Sequence, residues 1–142
     1  MQVVTLIIAL YGAALATWLA TRQWRARIKV EAQVGCLIAP GEPDNPRLLL
    51  YAVNHGHVAV EIRAVWINDG GKNGIMVHSN LPKRLTHGDQ VHVWTAPHEP
   101  LPSDLRSITF LDSLSREWDA KPDVLAKVRK QIAESLAEAD AR

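Results

Sequence analysis

The chain has 142 residues, sixteen Lys and Arg against fifteen Asp and Glu, and one cysteine, for a formal net charge of +1. So even a charge balance argues against a nucleic-acid-coating surface, and a lone cysteine excludes an internal disulfide or a cysteine-rich metal framework. The length allows one small domain beside any membrane segment.

Met1 to Thr21 carry no charged side chain, and the run from Val3 to Ala20 is almost wholly apolar. Eighteen residues rise about 27 Å as a helix, close to the hydrocarbon thickness of a bilayer. Residues 1–21 are therefore expected to be a transmembrane anchor. Arg22, Arg25, Arg27 and Lys29 follow it, and Trp18 and Trp24 suit the interfacial belt. The positive-inside rule then predicts a single-pass protein of the inner (plasma) membrane, with the N-terminus outside and the remaining domain in the cytoplasm. Residues 22–27 form the basic juxtamembrane segment, a partner for anionic lipid head groups in the bilayer. Two readings compete with the anchor. One is a buried core helix. The other is a cleaved signal peptide ending at the small residues "ALA" (14–16), although its apolar stretch lacks a preceding Lys or Arg. Gly12, Ala16 and Ala20 recur every four residues, a small-residue face that suits homodimerisation of the anchor, though chance in an alanine-rich helix yields the same spacing.

Residues 28–120 carry the signals of a β domain. "IKVEAQVGCLI" (28–38) alternates, placing Ile28, Val30, Ala32, Val34, Cys36 and Ile38 on one apolar face. "APGEPDNP" (39–46) reads as a loop. "RLLLYAVN" (47–54) is apolar on both faces, as a central strand is. After the turn "NHGH" comes "VAVEIRAVWIN" (58–68), where Val58, Val60, Ile62, Ala64 and Trp66 share a face. "DGGKNG" (69–74) is a glycine turn around Gly70 and Gly71, "IMVHS" (75–79) a short strand, and 80–89 an irregular crossover that turns at Gly88. "QVHVWTA" (90–96) alternates again, "PHEPLPSD" (97–104) is a loop, and 107–113 with 116–120 form a last hairpin. About seven short strands separated by turn signals predict an antiparallel β-sandwich.

From Pro122 the period becomes helical. Leu125, Val128, Ile132 and Leu136 form a stripe on an amphipathic helix spanning 121–142, with Pro122 suited to its first position and Asp123 to its first turn. The stripe either packs on the sandwich or meets a protein partner, and the partner is the favoured reading, because the strands alone suffice to close a sandwich core.

The residues that could carry chemistry read as structural. His55 and His57 would share a face of a continuous strand, but Gly56 interrupts them at the tip of what reads as a hairpin. A metal site needs three or four ligands. The remaining histidines are scattered along the chain, and Cys36 is expected to face the core. Asn54 and Gly56 explain the stretch as a turn, with Gly56 supplying positive φ. No nucleophile elbow, P-loop or zincin motif is present, so no catalytic residue, cofactor or metal is expected.

The blocks "YAVNHGHVAVEIRAVWINDGG", "LPKRLTHGDQVHVW" and "FLDSLSREW" resemble a group of small bacterial immunoglobulin-like β-sandwich proteins, many with an N-terminal anchor. The likeness rests on Asn54 and Gly56, Val60 and Ile62, Gly70 and Gly71, then Leu81, Pro82, Leu85 and Gly88, and finally Asp112 and Arg116. It spans residues 28–120 and departs at Ser115, where the group carries glycine. The resemblance implies an Ig-like fold and no activity. The functional expectation is a non-enzymatic, membrane-anchored domain that binds a protein partner near the membrane. The alternatives are a prophage- or defence-type factor acting at the cell envelope and an enzyme with an unrecognised site.

Overall fold

The computed structural model describes residues 2–23, 25–36, 41, 45–76 and 80–141. The chain is mainly β, with antiparallel sheets between an N-terminal apolar helix and a C-terminal helix. Helix α1 covers Gln2–Gln23 and strand β1 Ile28–Cys36. Strands β2 (Pro46–Asn54), β3 (Val60–Asp69), β4 (Lys72–Met76) and β5 (Lys83–Leu85) follow. Strands β6 (Gln90–Trp94), β7 (Leu105–Asp112) and β8 (Glu117–Asp119) precede helix α2 (Pro122–Asp140).

In α1 the 19 residues Val3–Thr21 are long and apolar enough to cross a membrane, and none of that stretch is buried against the domain. The Thr17 hydroxyl donates to the Ala13 carbonyl at 2.8 Å and the Thr21 hydroxyl to that of Thr17 at 3.0 Å. These polar groups are thus satisfied within the helix, as a lipid environment demands. Gly12, Ala16 and Ala20 are all exposed, and a Cβ on Gly12 would meet open space.

One sheet has the order β1-β2-β6, the other β4-β3-β7-β8 with β5 also paired to β3. The doubly apolar β2 is the central strand of its sheet, and Leu48, Leu50 and Ala52 are fully buried. Across the core they face Val60, Ile62, Val65, Ile108 and Phe110 of the other sheet. Strand β5 lies within the stretch read as irregular crossover, so the described residues hold one strand more than the seven expected. Gly70 and Gly71, with φ of 59° and 86°, make a two-residue turn between Asp69 and Lys72, tighter than the six residues read as loop. Paired positive φ is what a type I′ hairpin turn requires.

Four expectations about strand pairing, facing and packing need correction. The stretch 54–58 is not a hairpin: β2 and β3 belong to different sheets, and the segment carries the chain from one to the other. Trp66 does not share the core face of Val60 and Ile62. A bulge between Ile62 and Ala64 shifts the alternation by one, so Val65 is buried and Trp66 falls on the opposite face. Cys36 is exposed at the end of β1, where the strand leaves the core.

The fourth concerns α2. Its stripe is not left free for a partner: Leu125, Val128 and Ile132 join the domain core, with Val128 wholly buried. The helix lies along β1 and β7 and closes the side of the core where β1 is an edge strand. Gln131 accepts a hydrogen bond from the Val34 N–H at 3.1 Å, which covers part of that edge, and Arg129 donates to the Leu105 carbonyl at 2.7 Å. Only Leu136, 44% exposed, projects beyond the packed surface. Two sheets of this size leave an open side, and a helix with apolar residues at three- and four-residue spacing covers it.

Candidate functional site

The corner at 54–58 is a hydrogen-bonded junction between several segments of the domain. The buried Asn54 amide donates to the carbonyls of Val58 and Leu85, each at 2.9 Å, and its oxygen accepts from the Gly56 N–H at 2.9 Å. Its backbone bonds to Asp89 and Gly88, so one side chain and one peptide tie the corner to the turn before β6. Gly88, at φ 82°, turns that segment.

Gly56 is not at positive φ, contrary to expectation. Its role is close approach: a Cβ there would sit 2.5 Å from the Arg25 carbonyl oxygen and 2.6 Å from the Arg27 nitrogen. The His55 N–H donates to the Arg27 carbonyl at 2.8 Å. The corner therefore grips the segment that leaves α1.

His57 stacks on His87 with ring centroids 4.9 Å apart, and Nδ1 of His87 lies 3.2 Å from the Gly56 carbonyl. A carbonyl can only accept, so that nitrogen carries the proton. Stacked rings present faces to each other rather than lone pairs to a common ion. Among the described residues no group of three or more His, Cys, Asp or Glu is placed to hold a metal.

The outer face of the β1-β2-β6 sheet is different. The two registers set Glu31 opposite Tyr51 and Tyr51 opposite His92, a carboxylate, a phenol and an imidazole in one row across three strands. Lys29, Val53 and Gln90 make the next row. The His92 ring meets Tyr51 edge to face at 5.5 Å. Burial, and then the negative charge of Glu31, push the Tyr51 hydroxyl above the usual tyrosine range and keep it protonated. Glu31 pairs with Lys29, whose amine is raised first by that hydrogen bond and then by the carboxylate charge.

The row lies in a groove of about 520 Å³, walled on one side by Asp123, Val124 and Lys127 from the first turns of α2. A second hollow of about 370 Å³ continues past Gln90 and His92 to Asn80 and Lys83. Lys83 donates to the Gln90 carbonyl at 3.0 Å and Asn80 to that of His92 at 3.1 Å, bracing the open edge of β6. At the far end the Trp94 ring crosses the sheet to within 3.7 Å of a Cβ position on Gly35, and Leu49, although on the outer face, is only 7% exposed. The face thus combines donors, acceptors and aromatic surface with charges of both signs, which suits recognition of a polar segment with a few apolar contacts.

The residues expected at the membrane lie apart from this groove, except that Lys29 is drawn to Glu31. Arg25 and Arg27 are exposed beside the corner, Trp18 is 53% exposed on α1, and Trp24 and the Arg22 side chain lie outside the described residues, as does His78. Sequence reasoning passed over Tyr51, His92 and Glu31. Their alternation with core residues marks them as outward, but nothing local says that β2 lies between β1 and β6.

Asp112 organises the β7–β8 turn. Its carboxylate accepts from the N–H groups of Leu114 (2.9 Å) and Arg116 (3.0 Å), from Arg116 Nε (2.7 Å) and from Trp118 Nε1 (3.1 Å). Burial pushes this carboxyl up, but those bonds together outweigh it and hold its pKa below the ordinary range. Ser115 takes φ 59°, so this chain reaches with serine the left-handed backbone that glycine adopts easily.

Fold and site together define a mainly β domain behind a helix long and apolar enough to cross a membrane, with an open polar–aromatic groove on its three-stranded sheet. No protein-family model matches the chain, and no curated protein sequence matches it significantly.

Proposed function

We propose that this chain is a single-pass membrane protein carrying a non-enzymatic, Ig-like β-sandwich that binds a protein partner close to the membrane. Residues 1–21 anchor it in the inner (plasma) membrane, and the basic residues after α1 keep the domain in the cytoplasm. The partner docks on the outer face of the β1-β2-β6 sheet. The observation that carries this reading is the Glu31–Tyr51–His92 row, set in an open groove beside the start of α2.

Binding is favoured over catalysis for a physical reason. Burial and the charge of Glu31 hold the Tyr51 hydroxyl above the usual tyrosine range, so it stands as a hydrogen-bond donor beside a Glu31 paired with Lys29. A rigid aromatic flanked by hydrogen-bonding groups is instead what a recognition surface uses.

The test is photocrosslinking in cells, with a photoreactive side chain at His92, in the groove, or at Lys72, in the distant β3–β4 turn. One discrete adduct from position 92, absent from position 72 and lost in the Tyr51→Ala background, supports the reading. Equal adducts at both positions, or none at 92, refute it.

A further inference from the structure

Four segments meet at one end of the domain: the exit from α1 (25–27), the corner 54–58, the turn 86–89, and the β7–β8 turn 113–116. Asn54 joins the corner to β5 and the turn after it, and the Ser113 N–H donates to the Glu61 carbonyl at 2.9 Å, which sets the β7–β8 turn beside the start of β3. We propose that this end is a second interaction surface, seated on an anionic membrane, with Leu114 entering the head-group layer. The inference rests on α1 spanning the bilayer.

Chain length carries the first part. From Thr21, the last residue of the apolar stretch, the chain reaches Arg25 through two helical residues and two more, so Arg25 lies within about 10 Å of the hydrocarbon edge. A head-group layer occupies about 5–8 Å on each side of a bilayer. Arg25 and Arg27 are not on a free tether, because Gly56 is packed against their backbone and the His55 N–H holds the Arg27 carbonyl. Whatever depth Arg25 takes, the corner with His55 and His57, and His87 stacked on it, takes with it.

Charge and exposed apolar surface carry the second part. Arg25 and Arg27 are exposed at this end, whereas several acids there are occupied: Asp112 by Arg116 and Trp118, and Asp89 by hydrogen bonds from the Thr86 N–H and hydroxyl. Glu61 stands opposite Arg84 across the β3–β5 ladder, and the exposed Glu117 follows Arg116. Basic groups at this depth attract anionic lipid. Leu114, 70% exposed, and Leu136 are the exposed large hydrophobic residues described outside α1. Leu114 stands at the tip of a turn that the Asp112 carboxylate braces on both sides, so it is presented outward rather than left loose. An exposed leucine at the same end of the domain as the exposed Arg25 and Arg27 has the composition of an interfacial contact.

The test uses the full chain with Cys36→Ser, reconstituted into vesicles of equal parts phosphatidylglycerol and phosphatidylcholine. A fluorophore is placed through Leu114→Cys, through Lys72→Cys at the opposite end, or through Leu10→Cys in α1. Lipids spin-labelled on the head group should remove most of the fluorescence at position 114 and little at 72, and pure phosphatidylcholine should weaken the effect at 114. Lipids labelled in mid-chain should quench position 10, which reports the anchor independently. Quenching at 10 with equal head-group quenching at 114 and 72 overturns the seated surface while keeping the anchor; no quenching at 10 overturns the anchor itself. If position 114 escapes the lipid quencher and is also shielded from aqueous iodide, a second copy of the chain covers this end, and the membrane proposal falls.

Discussion

Gly56→Ala distinguishes two reasons for a glycine, and the structure commits to one. The added methyl would lie 2.5 Å and 2.6 Å from backbone atoms of Arg25 and Arg27, about 1 Å inside the ordinary contact distance. Backbone cannot rotate away as a side chain does, so the exit segment must move. Moving it breaks the 2.8 Å hydrogen bond from His55 to Arg27, worth about 1 kcal/mol, and overpacking adds about 1–3 kcal/mol. The expected loss is about 2–4 kcal/mol, and Gly56→Asn should be no better, because the objection is to volume rather than to φ. Gly88 is the control, with φ 82° and open space around its Cβ position. There Gly88→Ala should cost about 1 kcal/mol, and Gly88→Asn clearly less, since asparagine tolerates left-handed backbone. Urea unfolding of the full chain in detergent, followed by circular dichroism, measures all four. Limited trypsin digestion with mass analysis should show faster cleavage after Arg27 in the Gly56 variants alone. A Gly56→Ala protein with parental midpoint and parental cleavage rate would refute the close-approach argument, and rescue by asparagine would restore the positive-φ reading.

Asp112→Asn should destabilise the domain by about 2 kcal/mol at neutral pH, because it removes a charged acceptor from Arg116 and Trp118. The folded pKa of Asp112 is depressed, so its contribution is complete above the ordinary value of 3.8 and disappears as the pH falls below it; acid titration of stability should therefore be shallower in the variant. Ile132→Ala should cost about 2–4 kcal/mol, and Leu136→Ala no more than about 0.5 kcal/mol, measured by the same urea transition; equal effects would mean that α2 does not pack as described. Changing His55 and His57 together to asparagine should leave stability within about 0.5 kcal/mol, and a stoichiometric metal in the parent that the double variant releases would contradict the structural reading of this corner. A reporter active only in the cytoplasm, fused after Arg142, should function, and neutralising Arg22, Arg25, Arg27 and Lys29 should weaken that orientation; export of the unmodified fusion would contradict it.

Several features of this protein follow from its sequence alone, because their causes are local. An uncharged apolar run of membrane length can hardly be anything but a long exposed or buried helix. The alternation in β1 and β6, the doubly apolar run of β2 and the three- and four-residue spacing of Leu125, Val128 and Ile132 reflect backbone geometry that needs no partner to be read. Gly70, Gly71 and Gly88 announce turns for the same reason. Tertiary structure decided what depends on neighbours distant in the chain. Strand order brought Tyr51 and His92, 41 positions apart, into contact between Glu31 and the open edge of β6. A one-residue bulge opposite β7 turned Trp66 away from the face its spacing assigned. The exposed edge of β1 claimed the helical stripe that periodicity could identify but not place. Gly56 shows the division most plainly: its lack of a side chain is evident in the sequence, but the reason is the backbone of Arg25–Arg27 packed against it, and no local pattern encodes a contact made by a chain segment thirty residues away.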